Sequence, residues 1–124
     1  MSTRFVFGVA VFLGLCAVVL GYQGNATLYN PAMGACGKFN TDDDMVVAVS
    51  HVQYGKHSDS LKAPVCDRCA LVKAVDSGKQ VKVKVVDRCA RCPNGSIDLS
   101  PAAFEKLASM DLGDIQVAWR YVSC

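Results

Sequence analysis

Residues 85–104 read VVDRCARCPNGSIDLSPAAF, and several short-range signals are packed into them. The stretch starts at the end of a run, Gln80 to Val86, in which Val81, Val83 and Val85 alternate with Lys82 and Lys84. That period of two predicts a strand with its valines toward a core and its lysines toward water. Cys89 and Cys92 follow with two residues between them, and Pro93-Asn94-Gly95 is a turn signal. Ser100 and Pro101 then suit an N-cap and a first helical turn, and Ala103, Phe104 and Leu107 form an apolar stripe. A helix is expected from Pro101 to about Ala108, ended by Asp111 to Gly113.

Outward from this stretch the pattern stays mostly at period two. Ala26–Tyr29, Met45–Ser50, Ala70–Val75 and Ile115–Val122 read as further strands. Asn30–Asp44 and Val52–Pro64 read as loops, the first carrying Asp42, Asp43 and Asp44. Several short strands with one late helix point to a small, mostly-β barrel. A chain of 124 residues with 52% hydrophobic and 19% charged residues is one domain with a packed core, which excludes a multidomain enzyme and a disordered chain.

The first 21 residues differ from the rest. They carry one charge, Arg4, ahead of an apolar run from Phe5 to Leu20, the composition of a secretory leader shorter than a membrane span. Residues 1–21 are therefore read as a signal peptide and 22–124 as the mature, secreted domain, with no membrane contact after cleavage. Loss of Arg4 and its single charge brings the net charge from +2 to one unit of positive charge, too small by bulk charge for a binder of nucleic acid or another polyanion. The charge is uneven, because residues 62–91 hold eight of the lysines and arginines.

Six cysteines remain beyond Cys16: Cys36, Cys66, Cys69, Cys89, Cys92 and Cys124. Cys66-x2-Cys69 and Cys89-x2-Cys92 have the spacing of a zinc ribbon. The leader and the two additional cysteines decide for disulfides instead, with fifteen connectivities open. No metal or other cofactor is expected. Asn25-Ala26-Thr27 and Asn94-Gly95-Ser96 are glycosylation acceptor patterns and place both segments near the surface.

No Ser-His-Asp set, phosphate loop or histidine-rich metal motif is present. His57 lies in a polar loop, and His51 follows an apolar strand, where a structural role is the ordinary one.

The 85–104 stretch resembles the double-psi β-barrel of the rare lipoprotein A type, shared by expansins, barwin-like proteins and a group of endoglucanases. Gly24-Asn25-Ala26-Thr27-Leu28-Tyr29 with Gly34-Ala35-Cys36-Gly37 is similar to the opening strand and first loop of an expansin domain, and Val117 to Cys124 to its last strand. The single-domain fungal loosenins are the nearest type. The resemblance implies a six-stranded double-psi barrel with one short helix over 22–124, and disulfides Cys36–Cys66, Cys69–Cys124 and Cys89–Cys92.

It also implies a groove. Asp98 matches the family acid that protonates the glycosidic oxygen in glycan-cleaving members, and His51 matches a histidine that assists it in lytic ones. Thr27 and Tyr29 match groove residues, Asp87 matches a second family acid, and Tyr54 and Tyr121 extend the set of candidate sugar contacts. Trp119 shares a strand face with Ile115, Val117 and Tyr121 and reads as core. Glycoside hydrolysis ordinarily uses two carboxylates. At the position where the endoglucanases carry the partner, Tyr29-Asn30-Pro31 offers none, and Asp42 to Asp44 read as a solvated loop. The leading expectation is a monomeric secreted protein that binds cell-wall polysaccharide of the cellulose, chitin or peptidoglycan type and loosens it without hydrolysis. The alternatives are a cysteine-protease-inhibiting module and a lytic enzyme with Asp98 as general acid.

Overall fold

A computed structural model describes residues 21–57 and 59–124. The expected leader lies outside the described residues except for Gly21. Six strands form: β1 (Tyr22–Leu28), β2 (Val46–Ser50), β3 (Cys69–Ala74), β4 (Gln80–Cys89), β5 (Ile97–Leu99) and β6 (Asp114–Val122). They close into a barrel in the order β1-β5-β2-β4-β3-β6. The pairs β1–β5 and β2–β4 are parallel, and the other four are antiparallel. Two short helices are present, α1 (His51–Tyr54) and α2 (Pro101–Glu105). The expectation of a single helix is thus corrected: Ser50 Oγ accepts from Val52 N at 3.1 Å and caps a helical turn in a segment that reads as loop.

β4 begins as its alternation predicts, with Val83 and Val85 buried and Lys82 and Lys84 exposed. It then runs on to Cys89 through a bulge. Val47 faces Val85 whereas Ala48 faces Asp87, so Val86 is an extra residue and is itself buried. The insertion reverses the in–out phase and turns Asp87 to the outer face. β1 begins four residues before the expected start, because Gly24 interrupts the alternation. A side chain at Gly24 would meet the Gly95 carbonyl at 2.6 Å, and Gly95 has φ 84°. Only glycine allows this contact between β1 and the turn ahead of β5.

The interior is filled from both halves of the barrel by Val47, Val49, Val72, Val85, Leu99 and Val117. Phe104 of α2 closes one end of it and is fully buried. Ser100 caps α2 as expected, accepting from Ala103 N at 3.3 Å and donating to Asp44 O at 2.6 Å. Trp119 is buried, as its strand face predicts, and donates Nε1–H to Gly95 O at 2.9 Å. Three disulfides join Cys36 to Cys66, Cys69 to Cys124 and Cys89 to Cys92, the pairs that the family resemblance implies. The four cysteines with zinc-ribbon spacing are divided among these three bridges.

Candidate functional site

The site is built around a buried carboxylate. Three polar residues are buried among those described: Ser50, Asp98 and Ser100. Both serines serve the backbone as helix caps, and Ser50 Oγ also donates to Cys92 O at 2.8 Å. Asp98 does not. Its Oδ1 accepts from Thr27 Oγ1 and from Arg91 Nη1 at 3.4 Å, and its Oδ2 accepts from Arg91 Nη2 at 3.0 Å. A buried charge needs such partners, and a two-pronged guanidinium is among the strongest. Ser100 rather than Asp98 holds the helix start, so the aspartate has no part in capping α2.

Sheet register explains why these groups meet. Thr27 and Asp98 are direct partners across β1 and β5, Asp98 faces Ala48 on β2, and Ala48 faces Asp87 on β4. On the other side Thr27 faces Asp114 of β6. One row across five strands thus reads Asp114, Thr27, Asp98, Ala48, Asp87. At about 4.8 Å per strand, each outer acid has its Cα about 10 Å from that of Asp98. Asp87 is pinned, with Oδ1 accepting from Ala35 N and Arg88 N at 2.8 Å each. Asp114 accepts from Asn25 Nδ2 at 3.3 Å at the exposed rim. Beside the row lies a cleft of about 320 Å³, lined by Asn25, Thr27, Arg91, Pro93, Ser96 and Asp114 among others.

Tyr29 packs on Ala48 and on the Cys89–Cys92 bridge. Its hydroxyl is buried without a hydrogen-bond partner. Burial first, then the charges of Asp87 and Asp98, push the phenol far above its ordinary value, so it remains a neutral donor.

The other candidates fall elsewhere. His51 is exposed at the start of α1, and the bonds to Asp98 come from Thr27 and Arg91 rather than from it. Tyr54 is 2% exposed and donates its hydroxyl to Ser60 O beside Cys36 and Cys66. It is a core residue and not a groove contact, because the α1 turn points its ring inward. Tyr121 pairs with Ala70, seven positions along β6 from the residue facing Thr27. That is about 23 Å of strand. There it packs edge-on against Tyr22 and Trp119 under the Arg68 guanidinium, so it too stands apart from the groove.

Sequence reasoning missed Arg91. It sits inside the four-residue ring closed by Cys89 and Cys92, with Nη1 3.3 Å from Cys89 Sγ. An arginine enclosed by a C-x2-C bridge and followed by a lone buried-strand acid is the pattern that would have found it. Asp98 and the two sulfurs also lie close together, but both sulfurs are committed to the disulfide.

Known proteins agree with this architecture. A papain inhibitor of Streptomyces mobaraensis is 32% identical over 102 residues, covering 80% of this chain and 70% of that protein. Among solved structures, the Streptomyces papain inhibitor superposes with a TM-score of 0.75 at 29% identity, over 86% of this chain and 97% of that one. An EG45-like domain containing protein of Citrus jambhiri is 30% identical over 77% of each chain. A Clavibacter michiganensis expansin, solved as an aspartate-to-asparagine mutant in complex with cellohexaose, is 30% identical with a TM-score of 0.70. It matches over 83% of this chain and 50% of its own. The family described as lytic transglycolase matches residues 22–119, and the chain belongs to this double-psi β-barrel family.

Proposed function

We propose that the protein is a secreted, expansin-like polysaccharide-binding protein whose groove along Thr27, Asp98 and Tyr29 takes a neutral cell-wall glycan and loosens it without hydrolysis. The carrying observation is the bonding of Asp98. Its oxygens accept from the Arg91 guanidinium and from Thr27, which fixes the carboxyl group beside the groove with lone pairs turned to sugar hydroxyls. Tyr29, packed beside Ala48 and the Cys89–Cys92 bridge, adds the face of an aromatic ring for sugar C–H groups. The expansin relative in complex with cellohexaose supports a glucan-type ligand. The leader over residues 1–21 and the three disulfides support an extracellular location.

The test is a pull-down of the wild type and Asp98→Asn on insoluble cellulose, chitin and peptidoglycan, with released reducing sugar assayed in the same tubes. Binding that depends on Asp98 with no sugar released is the expected result. Asp98-dependent release would make the protein a glycan-cleaving enzyme and overturn the non-hydrolytic mechanism.

A second reading, inhibition of a papain-type protease, is favoured by the papain-inhibitor relative and by one structural feature. Met33 and Phe39, bridged to each other and each 66% exposed, flank Cys36 in a loop fastened by the Cys36–Cys66 disulfide. Inhibition of papain that is lost with Met33→Ser and Phe39→Ser, and kept with Asp98→Asn, is the outcome this reading requires.

A further inference from the structure

The side of the barrel opposite the groove has the opposite chemistry. β3 stands three strands from β5 in either direction around the closed order, so its outer face points away from Asp98. On the outside of β6, β3 and β4, Leu71 lies between Arg120 and Lys82, Lys73 lies between Ala118 and Gln80, and Lys84 lies beside Cys69. Lys73, Lys82, Lys84 and Arg120 are all exposed. No aspartate or glutamate occurs in residues 69–74, 79–86 or 115–124, which make up this face. Lys82 Nζ donates to main-chain oxygens of Ser123 and Cys124 at 3.1 and 3.2 Å. The remaining three cations form no ion pair among the described residues.

The face is also shaped. The small side chain of Ala118 sits among longer outward neighbours and leaves a trough of about 510 Å³, lined by Gln23, Leu71, Lys73, Gln80 and Arg120. A guanidinium and an ammonium bind carboxylates, two primary amides donate to and accept from hydroxyls, and the leucine offers an apolar surface for sugar C–H groups. An unopposed row of cations concentrates polyanions even where each single exposed contact is weak.

We propose that this face is a second binding site, for an acidic polysaccharide built of uronate-type sugars, and that it acts independently of the Asp98 groove. The protein would then hold a charged matrix polymer on one side and a neutral glycan on the other.

The probe is polygalacturonate, compared with a neutral soluble glucan in affinity electrophoresis. Retardation by polygalacturonate is expected at about 0.01 M ionic strength and falls by about tenfold or more at about 0.15 M, as the screening length shrinks from about 30 to about 8 Å. The triple variant Lys73→Gln, Lys84→Gln, Arg120→Gln loses this retardation, whereas Asp98→Asn keeps it. Folding of the variant is confirmed by circular dichroism, and if it fails, Lys73→Glu and Lys84→Glu made singly replace it and each weaken the retardation. No retardation at low salt, or equal retardation of wild type and charge variants, overturns the proposal, as does loss in Asp98→Asn. Failure of the groove reading shows separately, as unchanged cellulose and chitin binding by Asp98→Asn.

Discussion

The two halves of the barrel are built by different rules. Along β3 every residue pairs in regular antiparallel register with β6, and its first five also pair with β4. Valines and Trp119 stand inside there, and solvated lysines and arginines outside. The groove half contains both parallel pairs, a three-residue strand, a bulge and a buried carboxylate. The contrast teaches that the chemistry of this protein gathers where the ladder is irregular. A regular two-faced strand offers an acid only a core or bulk water. A bulge and a short strand provide a third position, on the outer face yet covered by a neighbouring loop.

The sharpest way to break this contrast is to remove the bulge. Deleting Val86 leaves Asp87 on the outer face opposite Ala48 in an unbroken ladder, but removes a buried valine and the carbonyl that accepts from Cys36 N at 3.2 Å. Losing a buried valine together with a backbone bond to the Cys36 loop costs several kcal/mol, so a large drop in the thermal midpoint is expected, whereas Lys82→Gln on the regular half changes stability by about 0.5 kcal/mol or less. A Val86 deletion that melts like the wild type would show that the bulge is incidental.

The disulfides provide the next contrast. Cys69–Cys124 spans 55 positions on the regular half, and Cys89–Cys92 spans 3 beside the groove. By chain entropy the first contributes about 4 kcal/mol and the second about 2. Replacing each pair by serine and measuring denaturation midpoints should reproduce that order. Glycan binding should show the reverse order, because the small ring holds Arg91 against Asp98.

A smaller effect is expected from Thr27→Val, which keeps the shape but removes one donor to Asp98 while Arg91 remains. A loss of about 1 kcal/mol in stability, with weaker glycan binding, is expected from denaturant unfolding and pull-down. The corresponding change on the other half, Lys73→Gln, should leave stability and neutral-glycan binding unchanged.

The smallest effect is a pH dependence. Tyr29 and Tyr121 both have phenols raised above their ordinary value of 10.0, chiefly by burial. The folded state then holds these protons more tightly than the unfolded chain, so their contribution is constant below about pH 10 and stability declines above it. Melting temperatures across the alkaline range should show a shallower decline in the Tyr29→Phe, Tyr121→Phe double variant.

Much of this was legible in the chain itself. The Val81–Val83–Val85 alternation and the Ser100–Pro101 cap appear in the structure as their local chemistry predicts, because backbone geometry and burial set both within a few residues. β5 was not readable by period, since Ile97–Asp98–Leu99 is too short for a pattern and all three residues are buried. Asp98 stood out through family resemblance, but its clamp did not, because Arg91 owes its place to a disulfide ring. Tyr54 and Tyr121 were indistinguishable from groove aromatics in sequence, since only packing decides which face of a turn or which end of a strand a ring occupies.

The sequence by itself determined most of the strands, the capped helix, the even set of cysteines beyond Cys16 and the family to which the chain is similar. These follow from short-range periodicity, turn chemistry and composition. Only the tertiary structure decided the row Asp114–Thr27–Asp98–Ala48–Asp87, the clamp on Asp98 and the cation face opposite it. Each of these depends on register between strands distant in the chain, and one inserted residue, Val86, is enough to send a side chain to the other side of the sheet.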